Sequence, residues 1–267
     1  MNKIQKYTKK TFLLTISIAI MLLSCISCNK NEIFEPLMAT DDVVIANQVE
    51  INMKALRAVY DEVELISARI ATGVAIDVVS TGNGWEYPIN NNLLEGKIIV
   101  EYITNQSTGR DAKTVYCNDL KICYYPTVWL QLFGSFDIEN TERSIRNVTN
   151  KVTASNFGFK DSNNYDRTPE ITLNSNYTIQ SNFNDNKELL IVKMSGIGFG
   201  VSRWLGEYNH EITKTIEPNI LNYNIIGGTI EIFTEKLGNN YPVEIQYSPT
   251  KRTVKYKGVE QVTLYNN

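Results

Sequence analysis

Histidine is nearly absent from this sequence: His210 is the only one in 267 residues. A Ser-His-Asp or Cys-His mechanism would have to use it, because no other imidazole exists to relay a proton. Nothing around the serines has the form of a nucleophile elbow, so "GEYNHEI" reads as a loop or strand end with a non-catalytic histidine. Cysteine is scarce, four in all. With a single histidine there is no metal-ligand spacing, and neither a metal nor a cofactor is expected. No apolar run reaches the about 20 residues of a spanning helix. Basic residues are outnumbered, 26 Lys and Arg against 29 Asp and Glu. A mildly acidic chain lacks the electrostatic footprint for a phosphate backbone, so nucleic acid is not an expected partner.

What is present begins at the N-terminus. Lys3, Lys6, Lys9 and Lys10 precede an apolar stretch from Phe12 to Leu23 broken by Thr15 and Ser17, and "LLSCISCNKNE" runs from Leu22 to Glu32. Basic patch, short apolar core and small residues are the layout of a secretory signal peptide. Leu22-Leu23-Ser24-Cys25 further resembles the lipobox of bacterial lipoproteins, in which the cysteine becomes lipidated and N-terminal. The resemblance implies a lipid on Cys25. Cys28, preceded by Ser27, is the alternative, with a cysteine where the lipobox has an aliphatic residue. It also implies a signal peptide over 1–24, a tether over 25–40, and a chain held at a membrane of the bacterial cell envelope, the outer membrane first, with the membrane face left open. Cleavage before Cys25 leaves 243 residues, and losing four lysines and no acids takes the formal charge from −3 to −7.

From Thr40 to Gly73 the pattern is helical. Val49, Met53, Leu56, Tyr60, Val63 and Ile70 fall at steps of three and four, which predicts one N-terminal helix over 41–72 that packs on the domain C-terminal to it. After Gly73 the period becomes two, in many short strands separated by asparagine-rich turns such as Asn90 to Asn92. That predicts a mainly β region over 73–267, an antiparallel sandwich-like arrangement in one large or two small lobes, with the polar segment 160–169 as the candidate division. The strand "GKIIVEY", the alternating strands behind it and the lipobox together resemble uncharacterised β-rich surface lipoproteins of the Bacteroidota type. That resemblance supplies no catalytic residues.

Three constellations carry the site expectations. Cys117 and Cys123 end "CNDLKIC"; a hairpin with its tip at Asp119 to Lys121 sets them face to face, where an exported chain keeps a disulfide, with two thiols as the alternative. "SGIGFGVSRWLGEYNHE", Ser195 to Glu211, alternates Gly196, Gly198 and Gly200 without the strand-to-helix context of a dinucleotide site. Such glycines serve a bulge or a close backbone approach. Behind them, Trp204 and Tyr208 are candidates for an exposed aromatic platform under a sugar ring, with Arg203 hydrogen-bonding hydroxyls. Trp85, in "TGNGWEYP", is a further candidate. The expected function is a non-catalytic β-domain that binds a glycan or an envelope protein. The alternatives are a glycan hydrolase with an unidentified carboxylate pair and a subunit of a surface assembly with an open sheet edge.

Overall fold

A computed structural model describes residues 40–73, 77–104, 109–125, 128–144, 146–161, 170–184, 189–218 and 225–265. The expected signal peptide, Cys25, Cys28 and all of the expected tether but Thr40 lie outside the described residues, as does most of the segment 160–169.

The described residues are mainly β with one helix, near the N-terminus, as the change of period predicts. Helix α1 spans Asp41–Ala71. Asp41 and Asp42 stand in its first turn and Arg69 in its last, where each complements the helix dipole. Gly73 ends it at φ 70°, a left-handed position that costs glycine little. Of the apolar stripe, Val49, Met53, Leu56, Tyr60 and Val63 are buried while Ile70 near the C-terminal end is exposed, and burial in the middle of the helix goes all the way round. Ala55, Leu56, Arg57, Ala58, Val59 and Tyr60 are six buried residues in a row, more than a helix lying on a flat surface can hide.

The reason is the sheet. Among the described residues, fourteen antiparallel strands form one continuous sheet: β1 (Val79–Thr81), β2 (Gly84–Asn90), β3 (Leu94–Thr104), β4 (Asp111–Tyr116), β5 (Leu120–Tyr125), β6 (Val128–Arg143), β7 (Asn147–Asp161), β8 (Ile171–Phe183), β9 (Leu189–Ser202), β10 (Gly206–Ile216), β11 (Gly228–Thr234), β12 (Val243–Tyr247), β13 (Lys251–Tyr256) and β14 (Val259–Leu264). Apart from β5, each strand pairs with its neighbours in chain order. The helix touches β3 near one end of this order, β7 and β8 in its middle, and β12 and β13 near the other end. One sheet meets one helix at both its extremes only by curling around it. The predicted separation into facing layers is therefore realised as a single sheet folded over α1, and 160–169 joins the directly paired β7 and β8.

Bulges bend the sheet enough to do this. In β6 the register shifts between Phe133 and Ser135, and in β7 between Ala154 and Phe157. Gly134 (φ 82°) and Asn156 (φ 49°) sit at those points, and a Cβ on Gly134 would lie 2.1 Å from the Asn156 carbonyl oxygen. Extra residues of this kind increase local twist and turn a strand aside. Inside the curl the helix contributes Ile45, Val49, Met53, Leu56, Val59 and Val63, all essentially inaccessible. Each such side chain is worth about 1.5–3 kcal/mol on burial.

The cysteine hairpin does not form. Strands β4 and β5 both lie between β3 and β6 and run in the same direction. Tyr116 faces Ile99 while Leu120 faces Gly96, so four steps on one side match three on the other. The segment "CND" closes a local turn, Leu120 N–H donating to the Cys117 carbonyl at 3.1 Å, that bulges an interrupted strand without reversing it. Cys117 lies against Gly134 and Cys123 against Trp129 on β6, five residues of strand that set the cysteines roughly 15 Å apart, against the about 7 Å limit for a bridge. Cys117 and Cys123 are accordingly not joined, and Cys117 is a buried thiol.

Candidate functional site

Strand β9 reverses the usual inside-outside rule. Its inward positions in the second half are Gly196, Gly198, Gly200 and Ser202, and its outward ones are Ile197, Phe199 and Val201. The glycines face rings: Gly196 pairs with Tyr177 on β8, Gly198 with His210 on β10, and Gly200 with Tyr208 on β10. A Cβ on Gly198 would come within 2.3 Å of His210 Cε1, and one on Gly200 within 3.1 Å of Tyr208 Cε1. The close approach expected of alternating glycines is thus to a ring at Gly198 and to the β8 backbone at the other two, where a Cβ would lie 2.2 Å (Gly196) from the Asn176 and 1.9 Å (Gly200) from the Thr172 carbonyl oxygen.

Tyr177, His210 and Tyr208 fill the space. The Tyr177 hydroxyl and His210 Nε2 share a 2.6 Å hydrogen bond, the His210 and Tyr208 rings stack with centroids 6.1 Å apart, and the Tyr208 hydroxyl donates to the Thr172 carbonyl at 2.8 Å. Burial holds the His210 pKa down to about 3, leaving the imidazole neutral. Buried, neutral and held by Tyr177, this histidine is a packing element.

Two of the four ligand-binding candidates therefore move inside. Tyr208 is buried because position 208 shares the inward parity of His210 on β10. Trp85 is 2% exposed, since "GWEYPIN" is strand β2 and not a turn, with Trp85 and Ile89 turned to the core. Gly84 permits it: a Cβ there would lie 1.9 Å from the Val100 carbonyl oxygen.

The other two stand together at the surface. Trp204 is 59% exposed in the tight connection from β9 to β10. Its Nε1 donates to Glu170 Oε2 at 2.9 Å, and the Arg203 guanidinium lies 5.3 Å from its ring centroid. Arg203 Nη1 is 3.5 Å from Glu170 Oε1, so one carboxylate braces both side chains. Along the outward face of β9 lie Val201, Phe199 and Ile197, each half exposed or more. Register places Asn174 and Asn176 of β8 on one side of this row, and Glu207, Asn209 and Glu211 of β10 on the other. An apolar strip between two rows of amides and carboxylates is an amphipathic surface. Its signal was in the sequence, as Ile, Phe and Val alternating with glycine.

A second feature lies on the concave side. A cavity of about 390 Å³ opens between the first half of α1 and strands β9, β10, β13 and β14. Glu50, Lys54 and Arg57 of α1 and Arg252 of β13 line it beside Ile51, Met53, Met194 and Ile216. Arg252 Nη2 forms an ion pair with Glu50. Burial raises the Glu50 pKa, opposed by Arg252, by the Tyr247 hydroxyl and by Lys54. Burial lowers that of Lys54. Deeper on the helix, Arg57 pairs with Asp61 at 2.7 Å, and burial raises the Asp61 carboxyl to about 6 against the pull of Arg57. The Tyr265 hydroxyl donates to the Ile225 carbonyl at 3.0 Å, tying the end of β14 to the start of β11 at the cavity wall. Among the described residues, no group of three or more His, Cys, Asp or Glu is placed to hold a metal ion. No family model matches the chain, and no curated protein or solved structure matches it.

Proposed function

We propose that the chain is a lipid-anchored protein of the bacterial cell envelope, attached through Cys25 to the outer membrane, whose β-body binds a glycan without transforming it. The observation that carries the binding reading is the outward face of β9: Trp204 braced by Glu170 and Arg203, continued by Val201, Phe199 and Ile197 between flanking rows of asparagine and glutamate. A sugar ring has the matching chemistry. Its C–H face packs on an indole or an apolar strip, and its hydroxyls both donate to carboxylates and exchange hydrogen bonds with amides. A hydrolase would need two carboxylates facing across a cleft. In the cavity against α1, Glu50 is the one carboxylate among the lining residues and is engaged by Arg252. The test is a glycan array probed with the full chain in lipid nanodiscs, wild type against Trp204→Ala. Binding that falls at least tenfold in the variant supports the reading, and wild-type silence across the array or equal binding by Trp204→Ala overturns it.

A second reading, a subunit of a surface assembly, rests on β14. Among the described strands β14 pairs only with β13, and it exposes Val259, Val262 and Leu264, the last at 71%. An apolar edge strand is a template for another chain's strand. Cross-linking through a cysteine placed at Val262 distinguishes the two readings: capture of a partner strand favours assembly, and a monomeric product counts against it.

A further inference from the structure

We propose that the cavity between α1 and strands β9, β10, β13 and β14 is a binding site for a small amphiphilic anion, an apolar body ending in a carboxylate. This site is separate from the outward face of β9 and stands or falls independently of the glycan reading.

Charge balance is the first argument. Three cations, Lys54, Arg57 and Arg252, and one anion, Glu50, line the cavity. Glu50 is taken by Arg252 and Arg57 is matched by Asp61 behind it, whereas Lys54 has no salt-bridge partner among the described residues. Arg252 is 9% exposed, and its Nε has no hydrogen-bond partner among them either. A buried guanidinium N–H aimed at no acceptor is costly, and the expected compensation is an anionic oxygen. Desolvation lowers the Lys54 pKa, a penalty that a bound carboxylate would offset.

Wall chemistry and size are the second. Val43, Ile51, Met53, Met194, Ile216 and Ile225 make the rest of the lining largely apolar, two of them methionines whose flexible side chains adapt to irregular ligands. About 390 Å³ lies within the range of small-molecule pockets. Cations at one part and aliphatic side chains elsewhere describe a ligand with a charged end and a greasy body. An inorganic anion would leave the walls unused, and a neutral lipid would leave Lys54 and the Arg252 Nε without an anionic acceptor.

The experiment uses the full chain in phosphatidylcholine nanodiscs, with empty nanodiscs as the blank, and follows the fluorine NMR line of 8,8,8-trifluorooctanoate. The expected result is saturable broadening beyond the blank, reversed by unlabelled octanoate. Trifluorooctanol, of the same body but uncharged, should bind about tenfold more weakly or worse. Lys54→Met, which keeps the side-chain length and removes the charge, should weaken octanoate about tenfold, while Trp204→Ala leaves it unchanged. Broadening no greater than the blank, alcohol and acid binding alike, or undiminished binding by Lys54→Met would each overturn the proposal. The alcohol comparison is made on the wild-type chain and does not depend on the variant's folding.

Discussion

Replacing Gly198 with alanine adds one methyl group, and the geometry says where it goes: 2.3 Å from His210 Cε1 and 2.8 Å from Leu173 Cδ1. Ordinary contact begins near 3.4 Å. Leu173 presents the end of a flexible side chain, but the imidazole is fixed by Tyr177 at 2.6 Å and stacked on Tyr208, so it must retreat by about 1 Å and strain both contacts. Gly198 is not among the positive-φ glycines, so alanine there suffers no backbone penalty and the cost is steric. Overpacking at about 1–3 kcal/mol plus a weakened buried hydrogen bond at about 1 kcal/mol gives a loss of about 2–4 kcal/mol. For a body of this size that lowers Tm by roughly 4–16 °C. Urea unfolding followed by circular dichroism measures it, in wild type and in a His210→Ala background. If the ring is the obstacle, Gly198→Ala should cost less than about 1 kcal/mol once the ring is gone, a coupling that a double-mutant cycle isolates. An equal cost in both backgrounds, or none in the wild type, would refute the account of why β9 carries glycines.

Three further outcomes rest on the fold and the lipobox. Because β4 and β5 are one bulged strand, the mass of the denatured, unreduced chain should show no Cys117–Cys123 link, and both thiols should accept a label; a mass lower by two hydrogens that reduction restores would contradict the register. Asp61 titrates near 6 in the folded chain against 3.8 unfolded, so the native state holds that proton more tightly and the group's contribution is present at low pH and lost as pH rises through about 6. His210 runs the other way, its contribution lost as pH falls from about 6.5 toward 3. Asp61→Asn removes only the first slope, so urea midpoints between pH 4.5 and 6.5 should rise more steeply with pH in the variant than in wild type, and parallel profiles would contradict the assignment. Cys25→Ala should abolish incorporation of a lipid precursor and free the chain into the soluble fraction while Cys28→Ala leaves both unchanged; loss of label on changing Cys28 alone would move the anchor by three residues.

The helix was legible because its apolar residues keep a period of three to four along most of its length, and only a strong tertiary conflict overrides so long a pattern. Period two likewise made the strands visible, but not how they meet. The hairpin read into "CNDLKIC" failed because a one-residue bulge and a tight turn look alike in sequence, and only the pairing of both flanks with β3 and β6 separates them. Trp85 was misplaced because Gly82 and Gly84 before it and Pro88 after it look like turn residues, although Gly84 is there for a close backbone approach. Of the candidates for an aromatic platform, Trp204 and Arg203 lie at the surface, and Tyr208 went inward by strand parity. The cavity was out of reach. Glu50, Lys54 and Arg57 share a helix face by spacing, yet nothing in the sequence shows that the curl of the sheet brings Arg252, some two hundred residues on, against Glu50.

The most direct test of the binding account is quenching of tryptophan fluorescence by iodide in the full chain, with and without a glycan found positive on the array. Trp204 is the most exposed tryptophan and Trp85 is buried, so quenching in the free protein should come chiefly from Trp204 and disappear in Trp204→Phe. Saturating glycan should protect that fraction. If the glycan binds while Trp204 stays as open to iodide as before, the outward face of β9 is not the binding site.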